Sequence, residues 1–290
     1  MRLLAISDLH LGHRANREAL AALEAFPDDW LIVAGDVGDS PAHLVLALRE
    51  LVPRFRQVIW TPGNHELWCP REATDRTRGA DRYDELVGIC RDLGAISPED
   101  PYPVWPGDSQ TVVVPMFLLY DYSFRPPQVA LADAVAWARA SGVGCGDEYL
   151  LDPAPWATRI DWCQARVAAT LARLEALPVN VGTILVNHWP LRADLARPPR
   201  IPRFSIWCGT TATEDWGRRF RARGVVSGHL HLRTTLWRHG VRYDEVSLGY
   251  PRDWRVERGL AYYFREILPG TSAEALRFTP PRDPYYHGAP

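Results

Sequence analysis

The sequence predicts an α/β protein built on a mostly parallel sheet with covering helices. Short apolar runs typical of buried strands occupy residues 3–6, 30–34 and 58–61. Segments with helical periodicity lie between them, so the first part of the chain alternates as β-α-β-α-β. The chain has 290 residues, of which 47% are hydrophobic, and can bury a full core. The length allows one large domain or two small ones, and we predict a single domain over residues 1–290.

The two helices of this first part are predicted from different signals. Over residues 14–26, Leu20, Leu23 and Phe26 fall on one helical face. Ser40 and Pro41 are a favourable N-cap and first-turn pair, and they predict a helix that continues through Val52.

The second half of the chain is less regular. A loop with four prolines over residues 97–108 precedes a strand at 111–117. Helical character around residues 131–140 predicts a helical insertion at about 124–162. Asp161 is a candidate cap for a helix over residues 163–177.

Further strands are expected towards the C-terminus. A buried strand at residues 182–186 precedes a loop rich in Pro and Arg at about 189–210, which we interpret as a possible lid. Strands of a second sheet are then predicted at 224–227, 234–237 and 241–246, with a hairpin turn at His239-Gly240.

Composition excludes several functions. All 33 basic residues are arginine, because the sequence contains no lysine. This excludes a lysine-dependent phosphate loop, a protein kinase and a lysine Schiff-base enzyme. The formal net charge of -2 argues against nucleic acid as a partner.

The cysteines and the apolar segments indicate a cellular location. The five cysteines are an odd number and form no C-x-x-C pair, which favours a reducing compartment. No apolar run approaches the roughly 20 residues that a membrane helix needs, so no membrane contact is expected. We therefore predict a cytoplasmic protein.

Five short polar segments interrupt the pattern, and each follows an apolar run. They are Asp8-Leu9-His10, Gly35-Asp36, Gly63-Asn64-His65-Glu66, Asn187-His188 and Gly228-His229-Leu230-His231. Asp36 lies 28 positions after Asp8, and Asn64 lies 28 after Asp36, about one β-α-β unit each. The carboxyl ends of neighbouring parallel strands meet at one edge of a sheet, where α/β proteins place ligands.

The residue types in these segments are those of a metal site. Imidazole, carboxylate and amide groups bind Mn, Fe or Zn, and no cysteine is among them. The set is too large for one open catalytic metal ion, but it suffices for two ions that share a carboxylate. Paired ions clamp a phosphate, activate a water molecule and stabilise an in-line displacement.

The five segments in this order resemble the calcineurin-like metallophosphoesterase superfamily, and the resemblance extends from Asp8 to His231. It implies a four-layer αββα sandwich of two mixed β-sheets flanked by helices. It also implies two divalent transition-metal ions as cofactors and a hydroxide that bridges them and attacks phosphorus. The ligands that it implies are Asp8, His10 and His231 for one ion, Asn64, His188 and His229 for the other, and Asp36 for both.

The resemblance also implies roles for two neighbours of Asn64. His65 is not a metal ligand and acts as the general acid for the leaving oxygen, or stabilises its charge. Glu66 lies behind the ligands and orients His65 or a ligand histidine.

Four further residues next to these segments are candidate substrate contacts. Trp68 and Trp189 could stack on a base or an aromatic leaving group, or simply pack in the loops. Arg14 and Arg192 could bind a second phosphate or an anionic tail, or lie on the solvated surface.

The function implied is hydrolysis of a phosphate mono- or diester, and we expect the substrate to be a small molecule or a nucleotide. A DNA-end nuclease of the same superfamily is the enzymatic alternative, and a non-catalytic scaffold of the same fold is the other. The sequence leaves the metal, the oligomeric state and the exact substrate open.

Overall fold

Two β-sheets lie face to face at the centre of the protein, and helices cover their outer faces. A computed structural model describes residues 1–69 and 77–269. The strands of this part of the chain are β1 (Leu3–Ile6), β2 (Phe26–Val33), β3 (Phe55–Trp60), β4 (Thr111–Pro115), β5 (Gly182–Val186), β6 (Ala222–Ser227), β7 (Thr235–Arg238), β8 (Val241–Glu245) and β9 (Arg265–Leu268).

The helices lie mostly between parallel strands. They are α1 (Arg14–Ala21), α2 (Pro41–Leu51), α3 (Asn64–Leu67), α4 (Gly79–Leu93), α5 (Ala134–Arg139), α6 (Asp147–Leu150), α7 (Arg159–Glu175) and α8 (Trp216–Arg219). Short 3-10 segments occur at Leu131–Asp133, Pro202–Trp207, Thr211–Thr213, Val256–Arg258 and Leu260–Tyr263.

Both sheets are mixed. The first has the strand order β3-β2-β1-β9, and only the pairing of β1 with β9 is antiparallel. The second has the order β4-β5-β6-β8-β7, and only β7 with β8 is antiparallel. These two strands form the hairpin that the sequence predicted at His239-Gly240.

Alternation along β1 shows why the sheets stack. Leu3 and Ala5 belong to a cluster that also holds Ile184 and Val226 of the second sheet, so they fill the space between the sheets. Leu4 and Ile6 point the other way, into the cluster that contains the apolar residues of α1, α2 and α4. On the far side, α7 and α8 pack on the second sheet. The four-layer αββα sandwich is thereby confirmed.

The first predicted helix is too long at its C-terminal end. It stops at Ala21, and Phe26 opens β2. Phe26 precedes Pro27, and the residue before a proline is driven out of helical geometry into extended geometry.

The cap of α7 also differs from the prediction. Thr158 is the N-cap, and its hydroxyl accepts a hydrogen bond from the backbone amide of Asp161. Asp161 lies inside the first turn, where its charge still favours the helix N-terminus. Helix α4 and strand β9 were not predicted.

The insertion and the loop rich in Pro and Arg both contain short helical segments. Residues 124–162 contain α5 and α6, and residues 189–210 contain the 3-10 segment Pro202–Trp207. Glu148 of α6 forms an ion pair with Arg159 and accepts a hydrogen bond from the Trp207 indole, which ties the two segments together. No helix in residues 1–69 and 77–269 combines the length and apolar character needed to cross a membrane.

Candidate active site

The five polar segments follow β1, β2, β3, β5 and β6, and they meet at one rim of the two sheets. Five of their non-glycine residues have positive φ angles: Asp8 (55°), His10 (42°), Asp36 (52°), His229 (74°) and His231 (52°). This left-handed conformation is uncommon for residues with a side chain. It turns the backbone sharply after β1, β2 and β6.

Asp8, His10 and His231 form the first group of converging ligand atoms. Their atoms lie within 4.8 Å of one another. His231 Nε2 is 3.1 Å from Asp8 Oδ1 and 3.2 Å from His10 Nε2. The other ring nitrogen of His231, Nδ1, lies 3.1 Å from the carboxylate of Asp253, which fixes the orientation of the ring.

Asp36, His188 and His229 form the second group, again within 4.8 Å. Asn64 joins it, because its Oδ1 is 3.3 Å from His188 Nε2 and 3.1 Å from His229 Nδ1. His188 Nδ1 donates to the carbonyl of Ala34 at 2.8 Å, so its Nε2 faces the carboxylate of Asp36 at 3.4 Å.

At His188 and His231, where both ring nitrogens face acceptors, the contacts require a positive charge, and this is the test of whether metal ions fit. Lone pairs of carboxylate, amide and imidazole face each other at these points, so either a proton or a cation must lie between them. Burial alone would lower the pKa of His188, but the charge of Asp36 raises it to about 10. Burial alone would also lower the pKa of His231, but its hydrogen bonds with Asp253 and Asp8 raise it to about 10. A divalent ion would supply the same charge.

Asp8 is held from both sheets. Its Oδ2 accepts hydrogen bonds from the hydroxyls of Ser7 at 2.5 Å and Ser247 at 2.7 Å, and from the amide of His229 at 3.1 Å. Only Oδ1 is left to face the ligand cluster. The carboxylate is fully buried, and these three donors compensate part of its lost hydration.

Glu66 stabilises the loop that carries Asp36. Its carboxylate accepts hydrogen bonds from the backbone amides of Asp36 (3.0 Å), Val37 (2.9 Å) and Gly63 (3.1 Å). The expectation that it orients a histidine is therefore corrected, since its hydrogen bonds go to backbone amides. Burial, and then the charge of Asp36, raise the pKa of Glu66 to about 7.

His65 lies beside both ligand groups with one nitrogen restrained. Its Nδ1 is 2.6 Å from Asp39 Oδ1, and its Nε2 is 3.8 Å from Asp36 Oδ2. Its ring lies against the Trp68 indole, with centroids 3.6 Å apart. Burial alone would lower the pKa of His65, but Asp36 and Asp39 outweigh it and raise the pKa. The ring therefore retains its proton to higher pH than an ordinary histidine.

A cavity of about 390 Å³ opens above the ligand groups. Asp36, Asn64 and His229 lie on its polar side. Pro198, Ile201 and Phe204, from the loop rich in Pro and Arg, lie on its apolar side. The cavity thus offers a charged end and an apolar wall to one ligand.

Of the four candidate substrate contacts, one lines the cavity and three do not. Trp68 lines the cavity. Trp189 does not contact solvent at all, and its ring packs against His188 and His229, so it cannot stack on a substrate and belongs to the core.

Both arginine candidates are engaged elsewhere. The guanidinium of Arg14 is 84% exposed and pairs with Glu18 one turn along α1. The guanidinium of Arg192 pairs with Asp194 and donates to the carbonyl of Glu214. Neither lines the described cavity.

Several residues of the site were missed in the sequence. Asp39, Asp147 and Asp253 each bond a residue of the five segments, and Tyr250 stacks on His10 with centroids 4.5 Å apart. Asp39 stands three positions after Asp36, so spacing could have indicated it. The others lie on loops whose approach depends on the tertiary fold.

A four-layer sandwich with converging metal ligands at the sheet rim defines a class of metal-dependent phosphoesterases. The family model described as calcineurin-like phosphoesterase matches residues 1–233, and the chain belongs to this family. The resemblance inferred from the five segments is thereby confirmed. The protein is a metal-dependent hydrolase of phosphoric esters.

A particular relative adds detail. The chain is 48% identical over 270 residues to the [acyl-carrier-protein] phosphodiesterase PptH of Mycobacterium tuberculosis (strain ATCC 25618 / H37Rv), with 92% of this chain and 83% of the relative covered. It is also similar to the crystal structure of phosphopantetheinyl hydrolase (PptH) from Mycobacterium tuberculosis. That match has a TM-score of 0.87 and 47% identity, and it covers 93% of this chain and 96% of the other.

Proposed function

We propose that the protein hydrolyses the phosphodiester that joins a phosphopantetheinyl group to an acyl carrier protein, with two divalent metal ions. One observation supports the chemistry above all: the ligand atoms of Asp8, His10 and His231 converge, those of Asp36, His188 and His229 converge, and Asp36 also groups with His10 and His65. The similarity to PptH supports the substrate. The sequence alone suggested a small free ester, whereas this substrate is a small group carried on a protein.

The metal ligands in this proposal are those expected from the five segments. Asp8, His10 and His231 hold the first ion. Asn64, His188 and His229 hold the second, and Asp36 is shared. When bound, the ions supply positive charge to the phosphate oxygens and lower the pKa of a water molecule. Mn, Fe and Zn all suit these ligands.

His65 donates a proton to the leaving oxygen. Asp39 holds Nδ1, which leaves Nε2 as the nitrogen directed towards Asp36 and the cavity. The raised pKa of His65 favours the protonated ring. Trp68 packs on the ring and limits its rotation. A donor held in this way protonates the oxygen as the ester bond breaks.

The apolar wall of the cavity receives the pantetheinyl arm. Ile201 and Phe204 contribute it from the segment that was expected to be a lid. Ile201 retains 42% exposure, so its apolar surface is available to a ligand. Arg252 also lines the cavity, and its side chain is 80% exposed, with Nε 3.8 Å from Asp253 Oδ1. Its charge is offered to the second anionic group that a phosphodiester on a protein can present.

The experiment is a mass measurement on a carrier protein. Phosphopantetheinylated carrier protein is incubated with the protein and Mn²⁺, and we expect loss of the phosphopantetheinyl group and release of phosphopantetheine. The Asp36→Asn variant is the matched control. Intact carrier protein after prolonged incubation would contradict the proposed substrate. A parallel panel of bis-p-nitrophenyl phosphate, cyclic nucleotides, nucleotides and single-stranded DNA tests the alternatives, including the DNA-end nuclease.

We also propose a cytoplasmic location. All five cysteines are free thiols, and four of them are buried, as expected for a chain that works in a reducing compartment. Cell fractionation tests this proposal, and we expect the protein in the cytoplasmic fraction.

A further inference from the structure

Asp147 is a fully buried carboxylate in the insertion, on α6, far in sequence from the five polar segments. Its Oδ1 accepts two hydrogen bonds, from Asn64 Nδ2 at 2.9 Å and from the indole nitrogen of Trp68 at 2.7 Å. A buried carboxylate is rare unless its partners compensate the loss of hydration. Both partners belong to the active-site segment after β3.

The contact with Asn64 determines which way its amide faces. The two ends of an amide differ, since NH₂ only donates and the carbonyl oxygen only accepts. Asp147 Oδ1 also accepts the hydrogen bond from the Trp68 indole N–H, so it acts as an acceptor. The NH₂ of Asn64 must therefore turn towards it. The carbonyl oxygen of Asn64 then faces His188 and His229.

The contact with Trp68 extends the same control to His65. The indole is held by its nitrogen at Asp147, and its ring lies on the His65 imidazole. The backbone supports this arrangement, because the amide of Cys69 donates to the carbonyl of Leu150 at 2.8 Å. One side chain of the insertion therefore contacts Asn64, a proposed metal ligand, and Trp68, the neighbour of the proposed acid.

We infer that Asp147 is a positioning residue that presents the Asn64 oxygen to the second metal ion and, through Trp68, sets the orientation of His65. This inference rests on the proposed ligand role of Asn64. Through Asp147, the insertion at 124–162 then helps to position the groups that carry out the reaction. Hydrogen-bond partners behind metal ligands typically change metal affinity about tenfold to a hundredfold when they are removed.

The first test measures Mn²⁺ binding to the apo-protein by calorimetry and electron paramagnetic resonance. We expect two sites in the wild type and about tenfold or greater weakening of one site in Asp147→Ala. Asp147→Asn keeps an acceptor oxygen, so we expect its affinity to stay within about threefold of the wild type. Asp133→Asn, an exposed carboxylate of the same insertion, is the matched control and should bind as the wild type does.

A double-mutant cycle checks that Asp147 acts through Asn64. In the Asn64→Ala background, Asp147→Ala should produce no further loss of Mn²⁺ affinity. If Asp147→Ala does not fold, the exchanged pair Asn64→Asp/Asp147→Asn replaces it, since a carboxylate and an amide still face each other. We expect the pair to bind Mn²⁺ better than Asn64→Asp alone.

The outcomes separate the two proposals. Two Mn²⁺ sites in the wild type with unchanged affinities in Asp147→Ala would overturn the positioning role and leave the proposed function intact. Additive losses in the cycle, or no recovery in the exchanged pair, would also overturn it. Absence of Mn²⁺ binding in the wild type would overturn the proposed function, and the positioning role with it.

Discussion

The carboxylate of Glu66 accepts a hydrogen bond from the backbone amide of Asp36, with Oε2 3.0 Å from the nitrogen. Two more amides, of Val37 and Gly63, donate to the same group. The loop after β3 thereby holds the loop after β2 in the left-handed conformation that Asp36 adopts. A residue one position beyond the proposed acid thus controls the placement of Asp36, the proposed shared metal ligand.

Glu66→Ala is expected to destabilise the protein substantially. It leaves three buried amides without their acceptor, and each such loss costs about 1–3 kcal/mol before relaxation. We expect the free energy of unfolding to fall by roughly 3 kcal/mol or more. Urea unfolding measures this, with the exposed Glu18→Ala as control. A loss below about 1 kcal/mol would show that the amides find other partners.

His65→Ala is expected to lower kcat by about a hundredfold to ten-thousandfold on the carrier substrate. The loss should be much smaller on bis-p-nitrophenyl phosphate, because p-nitrophenolate leaves without needing a proton. Steady-state kinetics on both substrates checks this, with Mn²⁺ affinity measured in parallel. Equal losses on both substrates would exclude a general acid and favour charge stabilisation by His65.

The sequence indicated which side chains meet at the rim but not the residues that support them, for a physical reason. Strand ends are local features, so apolar runs followed by Asp, Asn and His indicate which side chains meet at a rim. Asp147 and Asp253 reach the same rim from an insertion and from a loop after β8, and no local pattern encodes their approach. Asp253 lies 22 positions after His231, its partner.

Substrate contacts were the least predictable part of the site. Trp189 follows His188 directly, yet it is fully buried, because its ring packs against the rings of His188 and His229. Arg14 is turned outwards by α1 and pairs with Glu18. The elements that the sequence predicted well are short strands with continuous apolar runs, such as β1 and β5. Helix ends depended on local capping that the apolar pattern did not capture.

Arg252→Ala is expected to raise KM for the carrier substrate about tenfold, with kcat little changed, since an exposed arginine at the cavity binds anions without joining the chemistry. Arg14→Ala should leave KM within about twofold. Kinetics at two salt concentrations measures both. The reverse ranking of the two variants would restore Arg14 as a substrate contact.

Stability should depend on pH through Glu99, which is remote from the metal ligands. Its Oε1 accepts hydrogen bonds from Tyr83 and Arg166, each at 2.6 Å. Burial alone would raise the pKa of Glu99, but the charge of Arg166 and these hydrogen bonds lower it below the ordinary value of 4.5. A carboxylate with a lowered pKa stabilises the folded state above that value and loses this contribution as the pH falls through the folded pKa.

Glu99→Gln should therefore be less stable than the wild type at pH 7, by roughly 1 kcal/mol for a partly exposed pair. The difference should shrink as the pH drops below about 4.5. Urea unfolding at both pH values measures it, and Glu24→Gln, at an exposed position, is the control. A difference that stays constant with pH would assign the effect to packing and not to charge.

The metal content of the protein tests the central claim most directly. The protein is stripped of metal, reconstituted with Mn²⁺, Fe²⁺ or Zn²⁺, desalted and measured by inductively coupled plasma mass spectrometry, alongside Asp36→Asn. Two ligand groups, with Asp36 as the proposed shared ligand, predict about two ions per chain in the wild type and fewer in the variant. One ion or none per chain with every metal, or no difference between the two proteins, would contradict the dinuclear site.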